Sequence, residues 1–123
     1  MSEQAPDFSK GLVPAIVQDA TSGQVLMLAY MDAQAWERTV STGRAWFHSR
    51  TRGLWEKGAT SGNTMEVVER RLDCDSDTVL LRVKASGPAC HTGATSCFYQ
   101  ELLPGEMQEE RLPGEMQEEL PIA

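Results

Sequence analysis

Cysteine is scarce in this sequence. Three cysteines among 123 residues, an odd number, cannot close a disulfide framework. In a reducing compartment they point instead to metal ligands or free thiols. Long apolar runs are also missing. The longest strongly apolar stretch, Val25 to Met31 (VLMLAYM), is far short of the roughly 20 residues of a membrane span. The opening MSEQAPDFSK has no basic segment followed by an apolar one, so no secretory leader is predicted and a cytoplasmic location is expected. Bases are few, eleven Lys and Arg against eighteen Asp and Glu with a pI near 4.7. That excludes the basic stripe of a general nucleic-acid binder.

The acidity has a location. From Glu101 onward there are seven acids and one base, whereas residues 1–100 hold eleven acids and ten bases. The octapeptide LPGEMQEE occurs at 103–110 and again at 112–119. Two copies cannot stack into a solenoid, which needs three or more units. Residues 1–102 are therefore expected to form one domain, and 103–123 an acidic, solvated tail.

Within the domain, Leu12 to Gln18 and Gln24 to Tyr30 are apolar runs parted by Asp19-Ala-Thr-Ser-Gly23, a hairpin pattern. Asp32 is placed to cap a helix over about 33–42, with Ala35, Trp36 and Val40 on its inner face and Gly43 as its stop. Arg44 to Arg50 is aromatic and is expected as a strand. Residues 51–63, rich in glycine, are expected as a loop. Thr64 to Leu72 and Thr78 to Ala85 are predicted strands, and Ser96 to Leu102 a candidate last one. Mostly antiparallel strands with one short helix make an α+β fold.

Three features carry chemistry. In Asp73-Cys74-Asp75-Ser76-Asp77, continuation of the preceding strand would align three carboxylates on one face. A hard cation such as Mg²⁺ would relieve their repulsion; a solvated acidic turn is the plainer reading. The segment is not an EF-hand, because position six is Thr78 and position twelve is Lys84. Cys90-His91 and Cys97, with Cys74, are plausible zinc donors, and three thiols suit a site that keeps a place for water. The alternative is that Cys97, beside Phe98 and Tyr99, is a buried thiol. The loop from Ser49 to Asn63 offers Arg50, Lys57, Thr60, Ser61 and glycine-exposed amides to phosphate oxygens, and Trp55 a flat face for a base. It contains no Walker pattern, and on its composition alone a plain surface loop is the simpler reading. His48, between Phe47 and Ser49, reads as a strand residue.

In order and combination, RTRGLWEKGATSGN followed by RRLDCDSDTVLLRVKASGPACHTGATSCFY resembles the phosphoribosyl-AMP cyclohydrolase family of histidine biosynthesis. The resemblance extends from about Gly11 to Tyr99, and its DCDxD and GPACHTGxxSCF elements are specific. It implies an intertwined homodimer that opens the adenine ring of N1-(5-phosphoribosyl)-AMP between N1 and C6 with zinc-activated water. The family's zinc ligands fall on Cys74, Cys90 and Cys97, shared across the dimer, and its magnesium ligands on Asp73, Asp75 and Asp77. His91 matches the histidine beside the zinc, a proton donor or transient ligand. Arg50, Trp55, Lys57, Thr60 and Ser61 fall in the implied substrate loop.

Where His48 stands the family often has an aromatic residue, and the duplicated tail is no part of its pattern. The 24 residues after Tyr99 are too few for the pyrophosphohydrolase domain that some relatives carry, so that activity is not expected. A non-catalytic zinc module and a metal-dependent hydrolase of another purine nucleotide are the competing readings. Deamination is disfavoured, because the H-x-E and P-C-x-x-C pattern is missing.

Overall fold

The turn Asp19-Ala-Thr-Ser-Gly23 is built as its composition predicts. In the computed structural model, which describes residues 4–104, Asp19 Oδ2 accepts from the amides of Thr21 at 3.1 Å and Ser22 at 2.7 Å. The flanking strands, β1 (Val13–Asp19) and β2 (Val25–Met31), pair antiparallel. Helix α1 (Ala33–Thr42) follows at once. Asp32 Oδ1 caps it by accepting from the Ala35 amide at 2.8 Å, satisfying a donor that the first turn leaves free. Ala35, Trp36 and Thr39 are its buried residues. Val40, partly buried, also packs against the core as expected, and Thr39 joins that face because its hydroxyl donates to Ala35 O at 2.9 Å and accepts from Trp46 N at 3.0 Å.

Gly43 ends the helix at φ 75°, with its amide bonded to Thr39 O. A methyl group there would meet nothing within 4 Å, so the penalty for Gly43→Ala is purely conformational. We expect it to lower the unfolding free energy by about 1 kcal/mol, measured as a lower urea midpoint with an unchanged slope.

Four more strands complete the fold: β3 (Trp46–Ser49), β4 (Gly53–Glu56), β5 (Met65–Leu72) and β6 (Val79–Ala85). The main sheet has the order β2-β1-β6-β5, and β3 and β4 form a separate two-stranded ribbon. Three of the four strand pairs are antiparallel, and β1 with β6 is parallel. Val13, Ala15 and Val17 of β1 alternate inward beside Val79, Leu81 and Val83 of β6, none more than 2% exposed. Phe47 of β3 and Met65 of β5, both fully buried, tie the ribbon and the edge strand to this core. Each such side chain contributes roughly 1.5–3 kcal/mol through burial.

Two expectations are corrected. The span 51–63 is not all loop: β4 lies inside it, pairing Phe47 with Trp55 and Ser49 with Gly53 across a tight turn. Residues 96–102 form no strand. There Ser96 Oγ donates to Val25 O at 2.7 Å and the Cys97 amide to Leu26 O at 2.7 Å, which tethers the chain to β2 without continuing a ladder. The duplicated tail lies outside the described residues from position 105 onward.

Candidate active site

The ribbon β3–β4 supports the first part of the site. Trp55 on β4 packs against Phe47, centroid to centroid 5.2 Å, and the Arg52 guanidinium lies 4.0 Å over the Trp55 ring. The indole is therefore a cation–π partner of Arg52, and that approach to the ring is taken. Beyond β4 the Lys57 amide donates to Ala45 O at 2.9 Å and its ammonium to Ala89 O at 2.6 Å. The ammonium thus fastens the loop to the residue before Cys90. Gly58 turns at φ 90° with its α-carbon against the Asn63–Thr64 peptide. Only glycine leaves room for that approach. The Gly62 amide closes the loop onto Gly58 O at 2.8 Å.

The second part is the turn carrying Cys90 and His91. Gly93 N donates to Cys90 O at 2.9 Å and Cys90 N to Ala94 O at 3.2 Å. The Thr92 hydroxyl donates to Cys90 Sγ at 3.1 Å. This hydroxyl, then the Thr92 amide, hold the Cys90 thiol below its ordinary pKa, helped by Cys97 and the Lys57 charge. Cys97 is shifted upward, by burial first and then by its hydrogen bond and charge interaction with Cys90. The two sulfurs, with six residues between them in sequence, lie close enough to shift each other's ionisation in opposite directions, with Cys90 the readier thiolate. Thiolates are what a soft cation binds, with loss of that proton.

Trp55, Lys57, Thr60, Ser61, Cys90 and His91 line one cleft of about 320 Å³. Six residues singled out from the sequence are therefore neighbours in space. Arg50 is not among them; it lines an adjoining cleft of about 820 Å³, and Trp55 borders both.

The acidic cluster sits apart. It is the turn between β5 and β6, as the plainer reading of the sequence has it, and not a continuation of the strand. The carboxylates of Asp73, Asp75 and Asp77 nevertheless offer oxygens within 4.8 Å of one another, because Ser76 at φ 63° folds the turn. Asp73 Oδ1 accepts from the amides of Asp77 at 3.0 Å and Thr78 at 3.3 Å. Burial pushes Asp73 up, but these hydrogen bonds, with those from the neighbouring carboxyls, hold it below the usual carboxylate range. Asp77 is raised by its contacts with Asp75 and Asp73 and by their charges. Crowded hard oxygens of this kind fit a divalent cation. Among the described residues this is the one group of three or more such side chains close enough to share an ion. Cys74, exposed on the same turn, does not join Cys90 and Cys97 within one chain.

The sequence reading missed Asp32 and His48 as a pair. His48 Nδ1 lies 3.2 Å from Asp32 Oδ2, an ion-pair distance off the line of a hydrogen bond. The strand period held the signal: Phe47 points inward, so His48 points away from the core.

Among the described residues no helix is long and apolar enough to cross a membrane. A family model described as PRA-CH, phosphoribosyl-AMP cyclohydrolase, matches residues 27–99. A protein of that name from Oleidesulfovibrio alaskensis is 58% identical over 106 residues, 83% of this chain and 82% of its own. One from Nitratidesulfovibrio vulgaris is 56% identical over 111 residues, covering 87% and 88% of the two chains. One from Listeria innocua is 57% identical over 94 residues, covering 76% and 90%.

Proposed function

The chain belongs to the phosphoribosyl-AMP cyclohydrolase family, hydrolases of a carbon–nitrogen bond in histidine biosynthesis, and from that premise we propose how its residues perform the reaction. The substrate is N1-(5-phosphoribosyl)-AMP; water adds to C6, the N1–C6 bond breaks, and phosphoribosyl-formimino-aminoimidazole carboxamide ribotide results. The carrying observation is the single cleft that joins the loop residues Trp55, Lys57, Thr60 and Ser61 to Cys90 and His91.

Substitution at N1 leaves the purine cationic, so C6 is already electrophilic and a nucleophile at neutral pH is what is lacking. Cys90 and Cys97, with Cys74 from a second copy, are the donors that would hold a zinc ion, which when bound lowers the pKa of water from about 15.7 to about 7. The carboxylates of Asp73, Asp75 and Asp77 would hold magnesium. His91, exposed beside Cys90, supplies the proton that N1 must gain as its bond to C6 breaks. Lys57 keeps two ammonium protons beyond the one given to Ala89 O, and with the Thr60 and Ser61 hydroxyls it binds phosphate oxygens.

A homodimer is part of this reading. Two observations support it: Cys74 does not reach the other sulfurs in its own chain, and Phe98, Tyr99 and Leu102, just after Cys97, are 63%, 53% and 70% exposed. A second copy would cover those side chains and complete the donor set. The reading places the work in the cytoplasm, where thiols stay reduced.

Ring opening is followed by ultraviolet absorbance. The zinc-loaded protein is expected to convert the substrate, a strong chelator to stop it, and added zinc to restore it. A protein that binds zinc yet leaves the ring closed would be a non-catalytic zinc module. Conversion of a different purine nucleotide in its place would assign another substrate.

A further inference from the structure

The larger cleft has no role in the chemistry above, and beside the apolar side chains of Leu12, Leu28 and Ala29 it gathers a group of polar and cationic ones. It lies between β2 and the β3–β4 ribbon, holds about 820 Å³, and is bordered by Lys10, Tyr30, His48, Ser49, Arg50 and Trp55. We infer that this cleft is a second phosphate subsite, which takes one of the substrate's two 5-phosphoribosyl ends through Lys10, Arg50 and His48. The inference rests on the ring-opening reading for the identity of the substrate, and on the following geometry for the site.

Arg50 is the uncommitted arginine. Arg44 pairs with Glu56, Arg71 and Arg82 with Glu69, and Arg38, Arg52 and Arg70 lie over Trp46, Trp55 and Trp36. Among the described residues Arg50 has no such partner, and it is exposed on the rim of the cleft. A free guanidinium fork fits two oxygens of a phosphate, and Lys10 brings a second cation to the same cleft.

His48 is held in place for a polar contact. Asp32 is fixed by its helix cap at Oδ1, and its Oδ2 faces His48 Nδ1, which is itself buried. The 30% of the His48 side chain that stays exposed is therefore its other edge, on the cleft. The Ser49 hydroxyl already accepts from the Arg52 amide at 2.9 Å and keeps its proton to donate.

The two clefts meet at Trp55, whose Nε1 is buried without an acceptor among the described residues. The substrate has matching symmetry: a purine with 5-phosphoribosyl groups on N1 and N9, at opposite edges. A purine held where the two clefts meet, beside Trp55 rather than on the ring face that Arg52 covers, sends one phosphate toward Lys57, Thr60 and Ser61 and the other toward Lys10 and Arg50. The 320 Å³ cleft alone is at the low end of ligand-pocket volumes, and the substrate is larger than a mononucleotide.

Ribose 5-phosphate titrated into the intact zinc-loaded protein, followed by backbone amide NMR, tests this. The amides of Gly11, Ser49 and Arg50 are expected to shift and saturate. Lys10→Ala and Arg50→Ala, each checked for a native amide spectrum, are expected to weaken this binding about tenfold or more. The same variants are expected to raise KM for ring opening with kcat kept. His48→Phe, which keeps a flat ring, is expected to weaken binding less. Shifts confined to residues 57–63, or unchanged affinity in both Lys10→Ala and Arg50→Ala, would overturn the subsite. The wild-type turnover assay separates the two readings. An active enzyme without the response loses the subsite alone; an inert protein that binds ribose 5-phosphate in this cleft keeps the subsite and loses the ring-opening reading.

Discussion

Replacing Cys90 or Cys97 with serine is expected to lower ring opening by about 10³-fold or more, since a bound cation is worth several kcal/mol of transition-state stabilisation and each 1.36 kcal/mol is tenfold. Zinc content should fall with activity. Stability should change little, because both residues lie outside the buried cluster of Val13, Val17, Phe47, Met65 and Leu81. A drop of about 5 °C or less in Tm is expected. At position 90 the serine hydroxyl keeps a hydrogen-bond partner for Thr92, and at both positions serine changes little but the soft donor. Full activity and full zinc content in either variant would remove the cysteines from the mechanism.

The same residues test the sharing of sites. Cys74→Ala and Cys97→Ala subunits are each expected to be inactive as pure dimers. Refolded together in equal amounts, half the dimers are mixed. If Cys74 serves the partner's Cys90 and Cys97, each mixed dimer contains one intact site, and about a quarter of wild-type activity returns. If all three cysteines serve one chain, none returns. The exposed position of Cys74 on the β5–β6 turn, away from the other two sulfurs, motivates the first outcome.

Local features were legible in the sequence where one residue decides the backbone. Asp32 and Gly43 mark both ends of α1 because each satisfies groups that the helix leaves unpaired. Alternation in β6 and the Asp19–Gly23 turn fixed a strand and a hairpin for similar reasons. Pairings between distant segments were not legible. The parallel union of β1 and β6 joins residues more than sixty positions apart, and nothing local encodes it. Strand β4 was hidden because Gly53 and Gly58, which shape its two ends, make the whole span read as loop. At the site, motif resemblance grouped the loop with Cys90 and His91, and the fold brings them together. It did not foresee that Arg52 covers Trp55 or that Asp32 faces His48. Those details depend on which side chains meet across elements.

His91→Ala is expected to lower kcat by about 10²–10⁴-fold, the usual contribution of a positioned proton donor, with KM changed little. His91 follows Cys90 directly, is exposed on the cleft that also holds Lys57, Thr60 and Ser61, and has no hydrogen-bond partner among the described residues. An imidazole left uncommitted beside the sulfurs is free to deliver a proton to N1. A donor role and a ligand role separate by metal content. As donor, His91→Ala keeps its zinc and regains part of its kcat when imidazole is added to the assay. As a permanent ligand, the variant loses zinc in parallel with Cys90→Ser, and imidazole restores metal content together with activity. Unchanged kcat with zinc retained would leave N1 to be protonated by water or by another group, and His91 would have no part in breaking the N1–C6 bond.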